Sequence, residues 1–355
     1  MSNIDFGKRV SLIEAAKAIL ANPKLRYCLE GEPGIGKSSL TEYLRAQRPH
    51  HFASYVDMAS MDLGDTQMPW IDKDTNTTRY APNARFGLHL GKPVLINLDE
   101  FPKGAQPVQN MLHPMLEKSR PRLGDHEIPD ESYIFLTGNL STDGVGDKLK
   151  AHTANRVVRL KIRKPTADEW LTWAVNNDID PIVMAFVKQF PHVMASYLDE
   201  GQDSNPYIFN PRKVQDAFAS PRSLETASDI VKVRDQVDPD TTIACLAGAV
   251  GEACARDLYA FIEYQNQLPS WDSIIKSPMT ATVPDSAGAC SVMVFGAVSK
   301  VDKQNIVPFM QYIGRFEPEW QAAFAINVAR NPQKQAVAFS SKAFADWVQA
   351  NEDLL

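Results

Sequence analysis

Eight residues with the spacing G-x-x-x-x-G-K-S, Gly31-Glu32-Pro33-Gly34-Ile35-Gly36-Lys37-Ser38, carry the strongest chemical signal in the chain. Glycines open backbone conformations closed to other residues, so successive N–H groups can turn into one cavity and hold an anion. Lys37 would bring a point charge to the β- and γ-phosphates of a nucleoside triphosphate such as ATP, and the Ser38 hydroxyl would hold Mg2+. Ser39 carries this loop onward. The second signal is Asp99-Glu100, directly after the apolar run Pro93 to Leu98. Asp99 would orient the water shell of the ion, and Glu100 would polarise an attacking water as general base. That second carboxylate favours a water-activating hydrolase over a small-molecule kinase. Asn139 closes another apolar run, Tyr133 to Leu136, with an amide able to touch a γ-phosphate and the water. Taken alone, an Asn there is equally a local turn residue.

These groups act together only if flanking elements place them together. Leu25 to Leu29 reads as a buried strand ahead of the glycine loop. Ser39 to Gln47 reads as a helix behind it, with Leu40, Tyr43 and Leu44 on one face. Strand, glycine loop and helix form the context in which the pattern binds phosphate, with the positive helix end beneath the anion. By average residue usage the bare pattern arises by chance in roughly one chain in a hundred of this length. Phe52 to Met58 and Pro93 to Leu98 read as further strands, the latter apolar enough to be buried on both faces of a parallel sheet. Ligands of such sheets bind at the carboxyl ends of the strands, where Asp99 and Glu100 would lie.

Around that frame, Val10 to Ala21 has helical spacing and stops at Asn22-Pro23. Asp62 to Arg85 reads as a long polar loop with Trp70 and Tyr80 embedded, of a length that is more often functional than idle. Gln106 to Lys118 is expected to be a helix buried through Val108, Met111, Leu112, Met115 and Leu116. Arg120 to Ile128 has the pattern of a short hairpin about Gly124-Asp125. A short helix near Asp147 to His152 leads to Asn155-Arg156 and the strand Val157 to Ile162. Lys148, Lys150, Arg156, Arg159, Lys161, Arg163 and Lys164 crowd this stretch, and a solvated face is the ordinary reading of such a cluster.

Pro165-Thr166 marks a boundary, after which helical patterns replace buried strands. Three regions are expected: an α/β core over residues 1–164, a helical lid over 165–238, and a mainly helical region over 239–355. Ser220-Pro221-Arg222 opens a helix, with Ser220 as its cap and Pro221 at the first position. Small residues from Ile243 to Tyr264 favour close helix packing, and the aromatic stripes of the tail read as core.

With 355 residues, 44% hydrophobic and 23% charged, the composition is that of an ordinary globular chain. A net charge of −6 argues against avid nonspecific binding of nucleic acid. No run reaches the length of a membrane span and no signal peptide is evident, so no membrane association is expected. The scattered cysteines Cys28, Cys245, Cys254 and Cys290 lack metal spacing and read as buried thiols in a reducing compartment, the cytoplasm by default.

Taken in order, the P-loop, strand-Asp-Glu, strand-Asn, an arginine after a short helix, a helical lid and Ser-Pro-Arg resemble an AAA+ ATPase. The helix and hairpin from Gln106 to Ile128 and the Ser-Pro-Arg motif resemble the MoxR-like branch, known from bacteria and their phages, over roughly residues 5–236. The resemblance implies a P-loop NTPase core with a parallel sheet flanked by helices. It also implies ATP and Mg2+ as cofactors and a homo-oligomeric ring, a hexamer, with ATP at subunit interfaces. By the same resemblance Asn139 is the first sensor, Arg156 the finger toward a neighbouring subunit, and Arg222 the lid sensor. Relatives read Asp-Arg-Phe where this chain has Asn155-Arg156-Val157, so Arg159 stays an alternative finger. The implied function is a chaperone-like motor that remodels a protein partner, one with a von Willebrand A-type domain. A DNA-associated motor of clamp-loader or helicase type, using the basic stretch, is the alternative.

Overall fold

The computed structural model describes residues 7–140, 149–265 and 268–351. Its strands are β1 (Tyr27–Glu30), β2 (Phe52–Asp57), β3 (Gln67–Asp72), β4 (Thr77–Pro82), β5 (Val94–Asp99), β6 (Arg122–Leu123), β7 (His126–Glu127), β8 (Tyr133–Gly138) and β9 (Val158–Lys161). Five of them form a parallel sheet in the order β2-β5-β8-β1-β9. The fold class is the α/β one expected from the apolar runs.

Alternation along the inner strands explains why both faces of the sheet are covered. Cys28, Ile96, Leu98, Ile134 and Leu136 point into one core, with Phe101, Val108, Leu112 and Met115. Tyr27, Leu29, Leu95, Tyr133 and Phe135 point into the other, with Ala15, Ile19, Leu40 and Leu44. Helices α1 (Leu12–Ala21) and α2 (Leu40–Gln47) supply the second core, and α3 (Gln106–Leu112) the first. Each fully buried Leu, Ile, Val, Phe or Met among them contributes about 1.5–3 kcal/mol. Strand β9 lies at the sheet edge, and the exposed Arg159 and Lys161 discourage further pairing there.

Two segments differ from expectation. Asp62 to Arg85 contains a hairpin: β3 and β4 pair antiparallel, with Pro69 opposite Tyr80 and Trp70 opposite Arg79. Met68, Trp70 and Ile71 are exposed. A ribbon without a buried face lacks the alternation that marks a strand in sequence. Its anchor is the β6–β7 turn, where Asp125 N–H donates to the Tyr80 carbonyl at 3.0 Å. In return Tyr80 N–H donates to the Asp125 carboxylate at 2.8 Å. The helix from Gln106 ends at Leu112, because Pro114 has no N–H to give Asn110, and a 3-10 turn over His113–Leu116 continues it. Further on, α4 spans Ala151–Ala154, while Asp147 and Lys148 lie outside the described residues.

The chain divides into two compact units, Met1–Lys164 and Pro165–Leu355. The second contains α5 (Ala167–Ala174), α6 (Pro181–Gln189), α7 (Pro221–Lys232), α8 (Pro239–Val250), α9 (Glu252–Gln265), α10 (Trp271–Lys276), α11 (Ala287–Lys300), α12 (Ile306–Ile313), α13 (Pro318–Arg330), α14 (Gln335–Ser340) and α15 (Lys342–Ala350). One core joins Trp170, Phe186 and Leu224 to Leu246, Leu258 and Phe295, so residues on both sides of position 239 share it. Helix α11 is buried almost all round, facing that core with Val292 and Phe295 and a second core with Met293, Val294 and Val298. Cys28, Cys254 and Cys290 are buried, but Cys245 is exposed, contrary to expectation. Among the described residues no helix is long and apolar enough to cross a membrane.

The small-residue stretch from Ile243 is divided between α8 and α9. It breaks at Gly251, whose φ of 82° and ψ of 152° belong to a region used essentially by glycine alone. A Cβ built there would stand 2.6 Å from the Ala217 carbonyl oxygen. Gly251→Ala is therefore expected to destabilise the second unit by at least about 1–3 kcal/mol, read by denaturant unfolding. Unchanged stability would show that the α8–α9 corner can relax around a side chain.

Candidate functional site

Strands β1, β8 and β5 are neighbours and parallel, so their carboxyl ends come out side by side. Glu30 of β1 stands opposite Gly138 of β8, and Asp57 of β2 opposite Asp99 of β5. Gly31 follows the first of these strands, Asp99 ends the third, and Asn139 follows the strand between them. The two chemical signals of the sequence thus meet at one edge.

Within the loop, Gly34 and Gly36 have φ of 73° and 96°, open to glycine without strain. Leu40 and Thr41 N–H groups close turns onto the Lys37 and Ser38 carbonyls at 3.3 and 3.2 Å. Lys37, Ser38 and Ser39 are therefore the entry turn of α2, where N–H groups lack helical acceptors and favour an anion. Lys37 Nζ donates to the carbonyls of Gly31 and Glu32, each at 2.7 Å, and to Asn139 Oδ1 at 3.3 Å. Lysine, loop backbone and strand-end amide already form one cluster.

Asp99 is only 7% exposed, and a buried carboxylate needs donors. Three hydroxyls supply them. Ser38 Oγ lies 3.3 and 3.2 Å from its two oxygens. Tyr55 donates to Oδ2 at 2.6 Å, and Thr137 donates to Oδ1. Burial and the bond to Asp99 push the Tyr55 phenol up to about 12, so it stays a donor at neutral pH. Thr137 also accepts the Glu100 N–H at 3.1 Å. Neither Tyr55 nor Thr137 was marked by sequence reasoning. Thr137 could have been found beside Asn139, whereas nothing in the pattern of β2 distinguishes Tyr55.

Glu100 adopts φ 50° and ψ 39°, a left-handed conformation costing a non-glycine residue about 1–3 kcal/mol. Its carboxylate pairs with Lys103 Nζ at 2.6 Å. The chemistry of the set fits a hard divalent cation with phosphate. A hydroxyl and one carboxylate converge beside a lysine, and Mg2+ is typically held by one or two carboxylates plus phosphate oxygens and water. Among the described residues no group of three or more His, Cys, Asp or Glu could hold a metal alone.

The arginines are placed differently. Arg159 on β9 forms a bidentate pair with Glu30, with Nη2 at 2.8 Å from both carboxylate oxygens, and that hydrogen bonding raises the guanidinium above its usual range. Arg156, after α4, donates from Nε to Glu117 at 2.8 Å and from Nη1 to the His152 carbonyl at 2.7 Å. Lys164 is buried, so the basic stretch is not one solvated face. Arg222 belongs to the second unit, exposed in the first turn of α7, behind the expected Ser220 cap and Pro221.

Thr137 is fully buried and serves Asp99 and Glu100 at once. Thr137→Val keeps its shape and leaves the Glu100 N–H without that acceptor, so stability is expected to fall by about 1–3 kcal/mol, measured by chemical denaturation. Parental stability would mean that the turn after β5 finds another acceptor.

No family model and no curated protein matches the chain. Among solved structures it is similar to a protein from Cytophaga hutchinsonii named provisionally as an ATPase, at 12% identity and a TM-score of 0.33, over 72% of this chain and 90% of that one. A likeness so loose says nothing of the chemistry here, which stands on the residues themselves.

Proposed function

We propose that this chain is an ATP-hydrolysing P-loop ATPase of the AAA+ type, in its MoxR-like branch, working as a homo-oligomeric ring on a protein partner. The observation that carries the ATPase reading is that the glycine loop meets both strand ends, Lys37 bonding Asn139 at 3.3 Å and Ser38 bonding Asp99 at 3.2 and 3.3 Å. In this reading the loop N–H groups and Lys37 cradle the phosphates. Ser38 and Asp99 would hold Mg2+, with Tyr55 and Thr137 orienting the carboxylate; bound there, the ion would supply positive charge for the phosphate oxygens. Glu100 accepts the proton of the attacking water, and Asn139 orients that water against the γ-phosphate. Arg222 would sense the γ-phosphate from the lid. The net charge of −6 and the ion pair that occupies Arg159 favour a protein partner over DNA. The resemblance to the MoxR-like branch supports a partner with a von Willebrand A-type domain and a hexameric ring.

Binding and turnover separate the roles. Lys37→Ala should abolish binding of a fluorescent ATP analogue without unfolding the protein, and near-parental affinity would remove Lys37 from the site. Glu100→Gln should bind ATP with Mg2+ normally yet hydrolyse it ~10²–10⁴-fold more slowly, and should retain the ring and its partner in a pull-down. Turnover close to the parent would place the base elsewhere.

Arg156 tests the ring. It precedes the edge strand β9, and a finger there would stabilise charge on a neighbour's transferred phosphoryl group, worth ~10³–10⁵ in rate. Arg156→Ala and Glu100→Gln subunits should each be nearly inactive alone and regain hydrolysis when mixed. No recovery, with subunit exchange verified, would mean that Arg156 does not act in trans.

A further inference from the structure

Arg156 does not hang free at the domain edge. Its guanidinium is held at two of its edges, by Nε on Glu117 and Nη1 on the His152 carbonyl, while no hydrogen bond among the described residues engages Nη2. Its backbone is anchored independently. The flanking Leu149 and Val157 pack against the core that contains Leu112, Met115 and Leu116, and the Arg156 N–H donates to Thr153 at 2.9 Å. A second link ties α4 to the segment carrying Glu117, with His113 Nε2 2.8 Å from Thr153 Oγ1. The His113 and His152 rings meet edge-on at 4.6 Å.

We infer that Glu117 is a positioning residue for Arg156: with the His152 carbonyl it fixes the plane of the guanidinium and leaves Nη2 for the anion it serves. The inference rests on the finger reading above and deepens it. Exposure decides what the ion pair is for. The Arg156 and Glu117 side chains are 34% and 47% exposed, and pairs this wet contribute little to stability. Orientation is what such a pair can supply, because an arginine side chain has several rotatable bonds and its planar fork binds only when aimed. Misplacement of a catalytic group by about 1 Å can lower rate by about 10²-fold. The sequence gives no hint of this pairing, since Glu117 lies 39 positions before Arg156.

The test is a double-mutant cycle on the assembled protein, reading kcat and ATP affinity together. Glu117→Ala should lower kcat by about 10–100-fold, with ATP affinity within twofold of the parent and an unchanged unfolding midpoint. Glu117→Gln keeps an acceptor for Nε and should recover much of the loss. In an Arg156→Ala background, Glu117→Ala should cost nothing more, because the two act as one unit. Multiplying losses, or a Glu117→Ala protein with parental kcat beside an inactive Arg156→Ala protein, would overturn the positioning role and leave the finger intact. Parental kcat in Arg156→Ala alone would overturn the finger reading and this inference with it.

Discussion

A carboxyl group taken out of water must be met by hydrogen-bond partners, and at Asp99 this requirement organises the whole edge of the sheet. Its donors come from β2, from the entry of α2 and from the end of β8. Those elements can converge on one group only if the strands run parallel and stop level with one another, as the register of Asp57 with Asp99 and Glu30 with Gly138 shows. Removing one donor from a buried carboxylate is far costlier than the net worth of the bond itself. The site therefore constrains the strand ends as much as the sheet positions the site.

Behind the edge, the same logic recurs in a neutral form. Asn97 sits in the middle of β5 with no exposure, and its amide donates to Thr41 of α2 at 3.0 Å. That bond ties the helix leaving the glycine loop to the strand that ends in Asp99. A polar side chain there sacrifices apolar packing, and what it provides is a fixed relation between two elements that both reach the site. Strain is placed likewise: Glu100, in a left-handed conformation, is held by its N–H on Thr137 and by its carbonyl, which accepts from Lys103 N at 2.8 Å. These two bonds offset the strain of that conformation.

Legibility followed the physics of each element. The inner strands were readable because burial on both faces leaves continuous apolar runs, and the glycine loop because its conformations demand particular residues at fixed spacing. The β3–β4 ribbon was not, because its stability comes from cross-strand pairing and the Asp125 anchor rather than from a buried face. The break at Gly251 was hidden among other small residues, where only a left-handed φ separates a corner from a packing site. Of the site, the groups with motif spacing could be named from sequence. Tyr55, Glu30 and Glu117 could not, since each meets a partner brought near by the fold.

Those partners also connect the two ends of one rigid segment. From Glu100 the chain passes through the 3-10 turn Phe101–Lys103, helix α3 and the turn His113–Leu116 to Glu117. Phe101, Leu112 and Met115 are wholly buried along it. A segment packed this tightly moves as a unit or hardly at all. The residue proposed to activate water lies at its start, and the residue proposed to aim Arg156 lies at its end. If a change at Glu100 displaces the turn after β5, the displacement reaches Glu117 through packed side chains rather than flexible backbone. In the ring proposed above, the state of a subunit's own site would then bias the aim of Arg156. The physical requirement is modest, because an exposed ion pair is held weakly enough to be redirected by a shift of about an ångström.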